Sequence, residues 1–265
     1  MSPPPRISVV TICRNALPAL RRTVASVLEQ GYPALEYWIV DGASTDGTRE
    51  YLAELEARGV RVRSEPDRGI SDAMNQGIRL ATGEWITHLH ADDTFLPGAL
   101  EAVARAAAAG DADVLCGHVL QQEPTGPVLC RAAPGRLAIE MAVPHPAVFA
   151  RRALWERLGG FDLGLRNAMD YDLFLRARNA GARFAVIDRA LTSVAWGGQS
   201  ERSLWATLRE THDIRRRHLR SGWSRSWAFL VFLVVKGRVR MALQGAGLTG
   251  LVAWYRRHLA IPRKG

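Results

Sequence analysis

Residues 84–100 read EWITHLHADDTFLPGAL. Trp85, Ile86 and Leu89 nearly alternate, as a buried strand requires, and the run ends in two adjacent carboxylates, Asp92 and Asp93. Two like charges side by side repel unless something cationic or rich in donors lies against them. Two explanations compete. Either carboxylate could cap the helix expected to begin near Pro97, because Asp accepts from the free N–H groups of a first turn. Alternatively, the pair holds a divalent cation and, through it, a phosphate. The stretch alone leaves both open.

The surrounding sequence alternates strand and helix. ISVVTI (7–12) is a continuous β-branched run, the pattern of a strand buried on both faces. LPALRRTVASVLEQ (17–30) spaces Leu20, Val24 and Val27/Leu28 as a helix does. A strand in LEYWIV (35–40), a helix ending at Gly59 and a short strand in VRVRSE (60–65) follow. Residues 71–83 are expected to be helical, with Ser71 as cap and Gly83 as stop. Beyond the quoted stretch come a helix in LPGALEAVARAAAAG (96–110) and a strand in ADVLCGHVL (112–120). This alternation predicts an α/β fold with a Rossmann-like, mostly parallel central sheet and helices on both faces.

Open sheets of this kind bind ligands beyond the carboxyl ends of their strands. Thr11, Arg14 and Asn15 mark the end of the first strand, and DGASTDGT, beginning at Asp41, follows the second. SEPDRGISDAMN follows the third, and Asp92 and Asp93 the fourth. Capping explains one such cluster but not four, so the pattern favours a ligand and a metal. Asp41 suits a base N–H or a ribose hydroxyl, with an ordinary Asx turn as the alternative. Arg68 offers a guanidinium for phosphate, and Asp72 and Asn75 lie one helical turn apart. Asp93 would hold Mg²⁺ or Mn²⁺ through oxygen, neutralising a pyrophosphate leaving group. His88 and His90 suggest zinc, but they share one strand face while Asp93 lies past the strand, which disfavours a four-ligand cage.

ISVVTICRNA, VDGASTDGT, SEPDRGISDAMNQGIRLATGEWITHLHADDTFLPGAL, GGFD and DYDLFLR together resemble the family 2 glycosyltransferases of the GT-A fold. Bacterial surface-polysaccharide enzymes are the most similar type, and the resemblance runs from about Ile7 to Ser200. The paired DGASTDGT and ADD motifs at their separation carry it; each alone is weak. The resemblance implies inverting transfer of a sugar from a nucleotide donor, expected to be UDP-linked, to a hydroxyl of a lipid-linked or oligosaccharide acceptor. It implies Mn²⁺ or Mg²⁺ as cofactor. It puts Thr11 and Asp41 on nucleoside-binding positions, Asp92 on the ribose, Asp93 on the metal and Asp170 on the catalytic base. Arg14, Asn15, Arg68 and Asp72 are expected to complete the nucleotide-sugar site.

His145, in PHPAVFARRAL, is read on a strand leading back to the sheet and falls on the acceptor side; a satisfied buried histidine is an equal reading. Ala91 stands where many relatives carry a carboxylate or Ser, which leaves metal binding mainly to Asp93. His90 stands where Asn is common. Met169 precedes Asp170 where Glu is frequent, and an apolar neighbour raises a carboxyl pKa by desolvation, which suits a base. The alternative makes Asp170, and still more Asp172, a helix N-terminal charge. WGGQS (196–200) resembles a loop that closes over the donor.

At 265 residues, 48% hydrophobic and 23% charged, the chain has ample material for a core. Its charge of +9 is uneven: residues 1–200 carry 21 Lys and Arg against 23 Asp and Glu, whereas 201–265 carry 14 against 3. The expected division is a catalytic domain over 1–200 and a basic helical extension over 201–265. Within the extension, WAFLVFLVV (227–235) is too short to span a bilayer: nine residues rise about 14 Å against a core of about 30 Å. Trp223, Trp227 and flanking Arg and Lys suit a segment lying on an anionic membrane surface, with packing against the catalytic core as the alternative. Nucleic acid is not expected, because no reading module accompanies the charge. Three scattered cysteines and an N-terminus without a signal pattern predict a cytoplasmic protein, peripheral on the inner face of the cell membrane. Two other classes compete. A sugar nucleotidyltransferase would need a glycine-rich basic loop after the first strand, where TICRNALPAL has no glycine. A nucleotide-sugar-binding protein would need no Asp170.

Overall fold

The computed structural model describes residues 3–124, 126–195 and 203–219; WGGQS and the apolar run of the extension lie outside the described residues. Ile7–Cys13 (β1), Leu35–Asp41 (β2), Arg61–Ser64 (β3) and Trp85–His88 (β4) are the four expected parallel strands. Helices Leu17–Leu28 (α1), Thr48–Glu56 (α2) and Ile70–Leu80 (α3) connect them. Thr94–Phe95 (β5), helix Ala99–Ala109 (α4), Val114–Glu123 (β6), Gly126–Cys130 (β7) and Val148–Arg151 (β8) follow. Helices Arg152–Leu158 (α5) and Met169–Asn179 (α6), strand Phe184–Val194 (β9) and helix Leu204–His218 (α7) complete the described chain. The strand order is β3-β2-β1-β4-β8-β6-β9-β5, with β7 beside β6. Six strands run one way; β5, β7 and β8 run against them.

The sheet is covered on both faces, and every residue of β1 is buried. Val10 and Ile12 join a core with residues of α3, α5, α6 and α7. Ile7, Val9 and Cys13 join the opposite core with residues of α1, α2 and α4. Gly77 lets α3 lie close on β1: a Cβ there would collide with the Val10 side chain. Among the described residues no helix is long and apolar enough to cross a membrane.

Three local expectations change. Gly69, at φ 114°, is the N-cap of α3, and Ser71 instead donates to the Leu165 carbonyl at 3.2 Å. Gly83 does not stop α3, which ends at Leu80; a Cβ at Gly83 would lie 2.8 Å from the Ser8 nitrogen and 2.9 Å from the Arg6 oxygen, so the residue is a close crossing of β1. Neither Asp92 nor Asp93 caps α4, because β5 intervenes and Gly98 is the N-cap without a side-chain bond.

The amino-terminal edge of the sheet is fastened by Glu36, which is 3% exposed. Its carboxylate accepts from Thr82 N (2.7 Å), Thr82 Oγ1 (2.8 Å), Arg61 (2.7 Å) and Arg6 (3.2 Å), and from the Ser8 hydroxyl. Burial pushes its pKa up, but the donors on Ser8 and Thr82 and the charge of Arg6 outweigh that and hold it below the ordinary carboxylate value. A depressed folded pKa means that the stabilisation is present above the unfolded value, about 4.3, and is lost as pH falls through the folded one. Replacing Glu36 with Gln is expected to cost about 2–3 kcal/mol in urea unfolding at pH 7, the weight of hydrogen bonds to a charged group. The difference from the unmodified protein should shrink as the pH is lowered below about 4.

Candidate active site

The opposite edge of the sheet carries the expected polar clusters. The chain leaves β1 toward β2 and later returns as β4 on the other side of β1, so the loops part at that point, the place where open sheets of this kind form a ligand crevice. The strand ends are tied together by Gly42 N to Cys13 O (2.9 Å), Glu65 N to Asp41 O (3.0 Å) and Ala91 N to Ile12 O (3.3 Å).

Several expected nucleotide-site residues are bound up within this edge. Thr11 is fully buried, with its hydroxyl 3.0 Å from that of Tyr37. Asp41 is fully buried and accepts from Ser44 N (3.0 Å), the Ser44 hydroxyl and Ser64 Oγ (2.7 Å). Asn15, at φ 50°, donates its N–H to Ser44 Oγ (2.7 Å) and accepts from Thr45 N (2.8 Å), joining the loops after β1 and β2. Asp46 accepts from Leu17 N (3.1 Å) and Thr48 N (3.2 Å), so one carboxylate serves the starts of α1 and α2. Arg14 and Arg68 are exposed. Gly42 makes room between Arg14 and Asp67: a Cβ there would collide with the Asp67 carboxylate and lie 3.3 Å from Arg14 Cδ. Arg68 pairs with Asp72 at 3.2 Å and, as the leading cause, lowers the Asp72 pKa.

The two acids of the quoted stretch lie in a tight turn in which the His90 carbonyl accepts from Asp92 N (2.8 Å) and Asp93 N (3.0 Å). Thr23 of α1 donates to the Asp93 carbonyl at 2.8 Å. Asp92 is exposed; Asp93 is 6% exposed. Thr94 and Phe95 pair with Ser193 and Thr192 of β9, which brings the Ala195 N–H onto the Asp93 carboxylate. Burial, then the charge of Asp92, push the Asp93 carboxyl up to about 7, and the Ala195 N–H offsets only part of this. Such a group gains from an added cation, so the site fits a hard divalent ion. No three His, Cys, Asp or Glu side chains among the described residues converge as a metal cage, at His88 and His90 or elsewhere. An ion at Asp93 would draw most of its ligands from a bound phosphate and water, the usual habit of Mg²⁺.

On the other side of this turn, His145 opens a one-turn 3₁₀ segment (His145–Ala147) just before β8, rather than lying on the strand. Its ring centre is 5.8 Å from those of both His88 and His90, 5.7 Å from Phe161 and 6.0 Å from Phe174. Burial lowers all three imidazoles: His88 to about 3, His90 to about 4 and His145 well below the usual value, so all are neutral at pH 7. Phe161 belongs to GGFD, and Asn75 of α3 pairs with both its N–H (2.8 Å) and its carbonyl (2.9 Å). Phe174 lies one turn beyond Asp170 in α6. This ring cluster therefore joins the end of β4 to the start of α6.

Asp170 is half-buried, accepts from Tyr171 N (2.8 Å), and is pushed up to about 6 by burial. Its neighbour Asp172 differs: it is buried and meets Arg176 and His218, each at 2.7 Å. The Ala195 N–H and the Asn75 clasp were not read from the sequence. A two-residue strand such as β5 carries no periodicity that would reveal its partner, and Asn75 stood out only for its spacing from Asp72.

The sequence profile of "Glycosyl transferase family 2" matches residues 8–128. The chain is 34% identical over 243 residues to an uncharacterized glycosyltransferase of Mycobacterium tuberculosis, covering 87% of this chain and 92% of that protein. It is 30% identical over 187 residues to the chondroitin synthase of Pasteurella multocida, covering 67% of this chain and 19% of that one. Among solved structures, S. aureus TarS with UDP-GlcNAc superposes with a TM-score of 0.65 at 19% identity, over 85% of this chain and 70% of that one. A mannosyltransferase from Pyrobaculum calidifontis, in complex with GDP-Man and Mn²⁺, superposes with a TM-score of 0.64 at 20% identity, over 97% and 82%. The two superpositions bear on the fold, which is that of GT-A glycosyltransferases, and the mycobacterial identity, which spans nearly the whole relative, bears on descent. By that descent the chain belongs to the family 2 glycosyltransferases.

Proposed function

We propose that this glycosyltransferase inverts the anomeric centre as it moves a sugar from a UDP-linked donor to a hydroxyl of a lipid-linked or oligosaccharide acceptor in polysaccharide assembly. The observation that carries the reading is Asp93: a buried carboxylate with its pKa raised, beside a second acid, at the crevice where the loops after β1 and β4 part. Asp93 would hold Mn²⁺ or Mg²⁺, which would supply positive charge against a departing diphosphate. Asp92, exposed beside it, binds the ribose. Arg14 and Arg68 face the phosphates from the ends of β1 and β3, and Asp41, through the loop it organises with Asn15, shapes the nucleoside pocket together with Thr11. Asp72 keeps Arg68 in place. Asp170, at about 6, is mostly ionised at neutral pH and still basic enough to take the acceptor proton. His145, neutral, borders the acceptor side as a hydrogen-bonding group. TarS with UDP-GlcNAc supports a nucleotide-sugar donor, the Mn²⁺ complex of the mannosyltransferase supports the metal, and chondroitin synthase supports polysaccharide work. We assign residues 1–200, with α7 packed on them, to catalysis and 221–265 to the cytoplasmic face of an anionic membrane, where a lipid-linked acceptor resides.

Calorimetry of UDP binding with and without Mn²⁺ tests the metal. Asp93→Ala should abolish the Mn²⁺ dependence and Asp92→Ala should weaken it less; an unchanged dependence in Asp93→Ala would overturn the assignment. For the base, Asp170→Asn should leave UDP binding within a few-fold and cut turnover by about 10²–10⁴-fold. In the unmodified enzyme kcat/KM should fall as pH drops through about 6, because protonated Asp170 accepts nothing. Normal turnover in Asp170→Asn would mean that the proton goes elsewhere. For the extension, a chain ending at Ser221 should still bind UDP with Mn²⁺ but no longer sediment with phosphatidylserine vesicles at low salt, since each basic residue near such a surface contributes about 1 kcal/mol. Undiminished sedimentation would sink the anchoring role.

A further inference from the structure

Helix α7 lies beyond the stretch matched by the family profile, yet three of its side chains close on the segment that carries Asp170. Glu210 accepts the backbone N–H groups of Arg166 (3.0 Å), Asn167 (2.8 Å) and Ala168 (2.9 Å), and the side-chain amide of Asn167 (3.2 Å). Those residues lead straight into α6, with Ala168 as its N-cap. Arg215, 5% exposed, donates to the Tyr171 phenol oxygen (3.1 Å) and to the carbonyls of Ala138 (3.2 Å) and Ile139 (2.7 Å). The Tyr171 hydroxyl in turn donates to the Leu137 carbonyl at 3.0 Å, and His218 meets Asp172. Ile214, fully buried in the core that α6 also joins, holds the helix down.

Asp170 therefore sits between a turn fixed by Glu210 and a residue fixed by Arg215. Three consecutive N–H groups converging on one carboxylate set the orientation of three successive peptide planes, in the manner of a backbone nest around an anion. The negative charge also lies at the amino end of α6, where the helix dipole favours it. The next two residues are Met169 and Asp170, so the direction in which the Asp170 side chain leaves the backbone depends on that turn. A general base is sensitive to such a setting, because a displacement of about 1 Å costs on the order of 10²-fold in rate.

We propose that Glu210 is a positioning residue for Asp170, acting on the reaction through the turn 166–168 without touching either substrate. The inference rests on Asp170 being the base, as read under Proposed function. The assay is release of nucleoside diphosphate with water as acceptor, using whichever of the UDP-, GDP- and dTDP-sugars the unmodified protein cleaves fastest. Glu210→Gln keeps the side-chain volume and one acceptor oxygen; Glu210→Ala keeps neither. Glu210→Gln should lower kcat by about 10–100-fold with donor KM within threefold, and Glu210→Ala should lower kcat further. In an Asp170→Asn background, adding Glu210→Gln should change the remaining rate by less than about twofold, because both substitutions remove the same function. Should Glu210→Ala not fold, Glu210→Gln decides alone. A kcat within twofold of the unmodified enzyme in Glu210→Gln would overturn the proposal. So would losses that multiply in the double variant, or a rise in KM that matches the fall in kcat. An unchanged rate in Asp170→Asn alone removes the base reading and this inference with it; an unchanged rate in Glu210→Gln alone removes only the inference.

Discussion

β1 is buried on both faces and hydrogen-bonded along both edges, between β2 and β4. A strand in that position can meet a ligand only at its ends. Its amino end is closed by the Glu36 cluster and by the chain crossing at Gly83. The carboxyl end remains, and there the connections to β2 and from β4 part. The crevice follows from burying this one strand completely, and the polar residues after the four parallel strands reach it because parallel pairing puts all four carboxyl ends on the same edge.

The carboxylates of the molecule fall into two groups by what surrounds them. Glu36, Asp41 and Asp172 are buried but enclosed by donors or cations, and each ties several segments together. Asp93 and Asp170 are also withdrawn from water, yet backbone N–H groups offset only part of the desolvation, and their pKa values rise to about 7 and about 6. Burial without full compensation destabilises a folded protein. In the proposed roles a cation would supply the missing charge at Asp93 and a proton would be accepted at Asp170, uses that the donor-enclosed acids could not serve.

The α/β order, the first four strands and the strand-end clusters were legible because periodicity and turn residues are local properties. The two-sided burial of ISVVTI and the helical spacing of Leu20, Val24 and Val27 each needed only a short window. What escaped was long-range or set by glycine. The caps at Gly69 and Gly98 replace the expected Ser71 and Asp92/Asp93 because backbone at positive φ turns the chain there without a side-chain acceptor. The Ala195 N–H on Asp93 depends on β5 pairing with β9 about a hundred residues away, and the Glu210 turn depends on a helix that the Arg-rich sequence marks only as basic. His145 was expected on a strand; the Pro144 and Pro146 that flank it favour a short turn before β8 instead.

The three imidazoles at the end of β4 have a consequence for how the site handles hydrogen ions. With His88 at about 3, His90 at about 4 and His145 lower than usual, none can store a hydrogen ion at neutral pH. They form a non-buffering wall between the strand end and α6. Under the proposed reaction, a hydrogen ion taken up at Asp170 therefore finds no basic imidazole among these three. Resetting that carboxylate would then bypass the ring cluster, whose part is to hold the strand end against α6 without taking up charge.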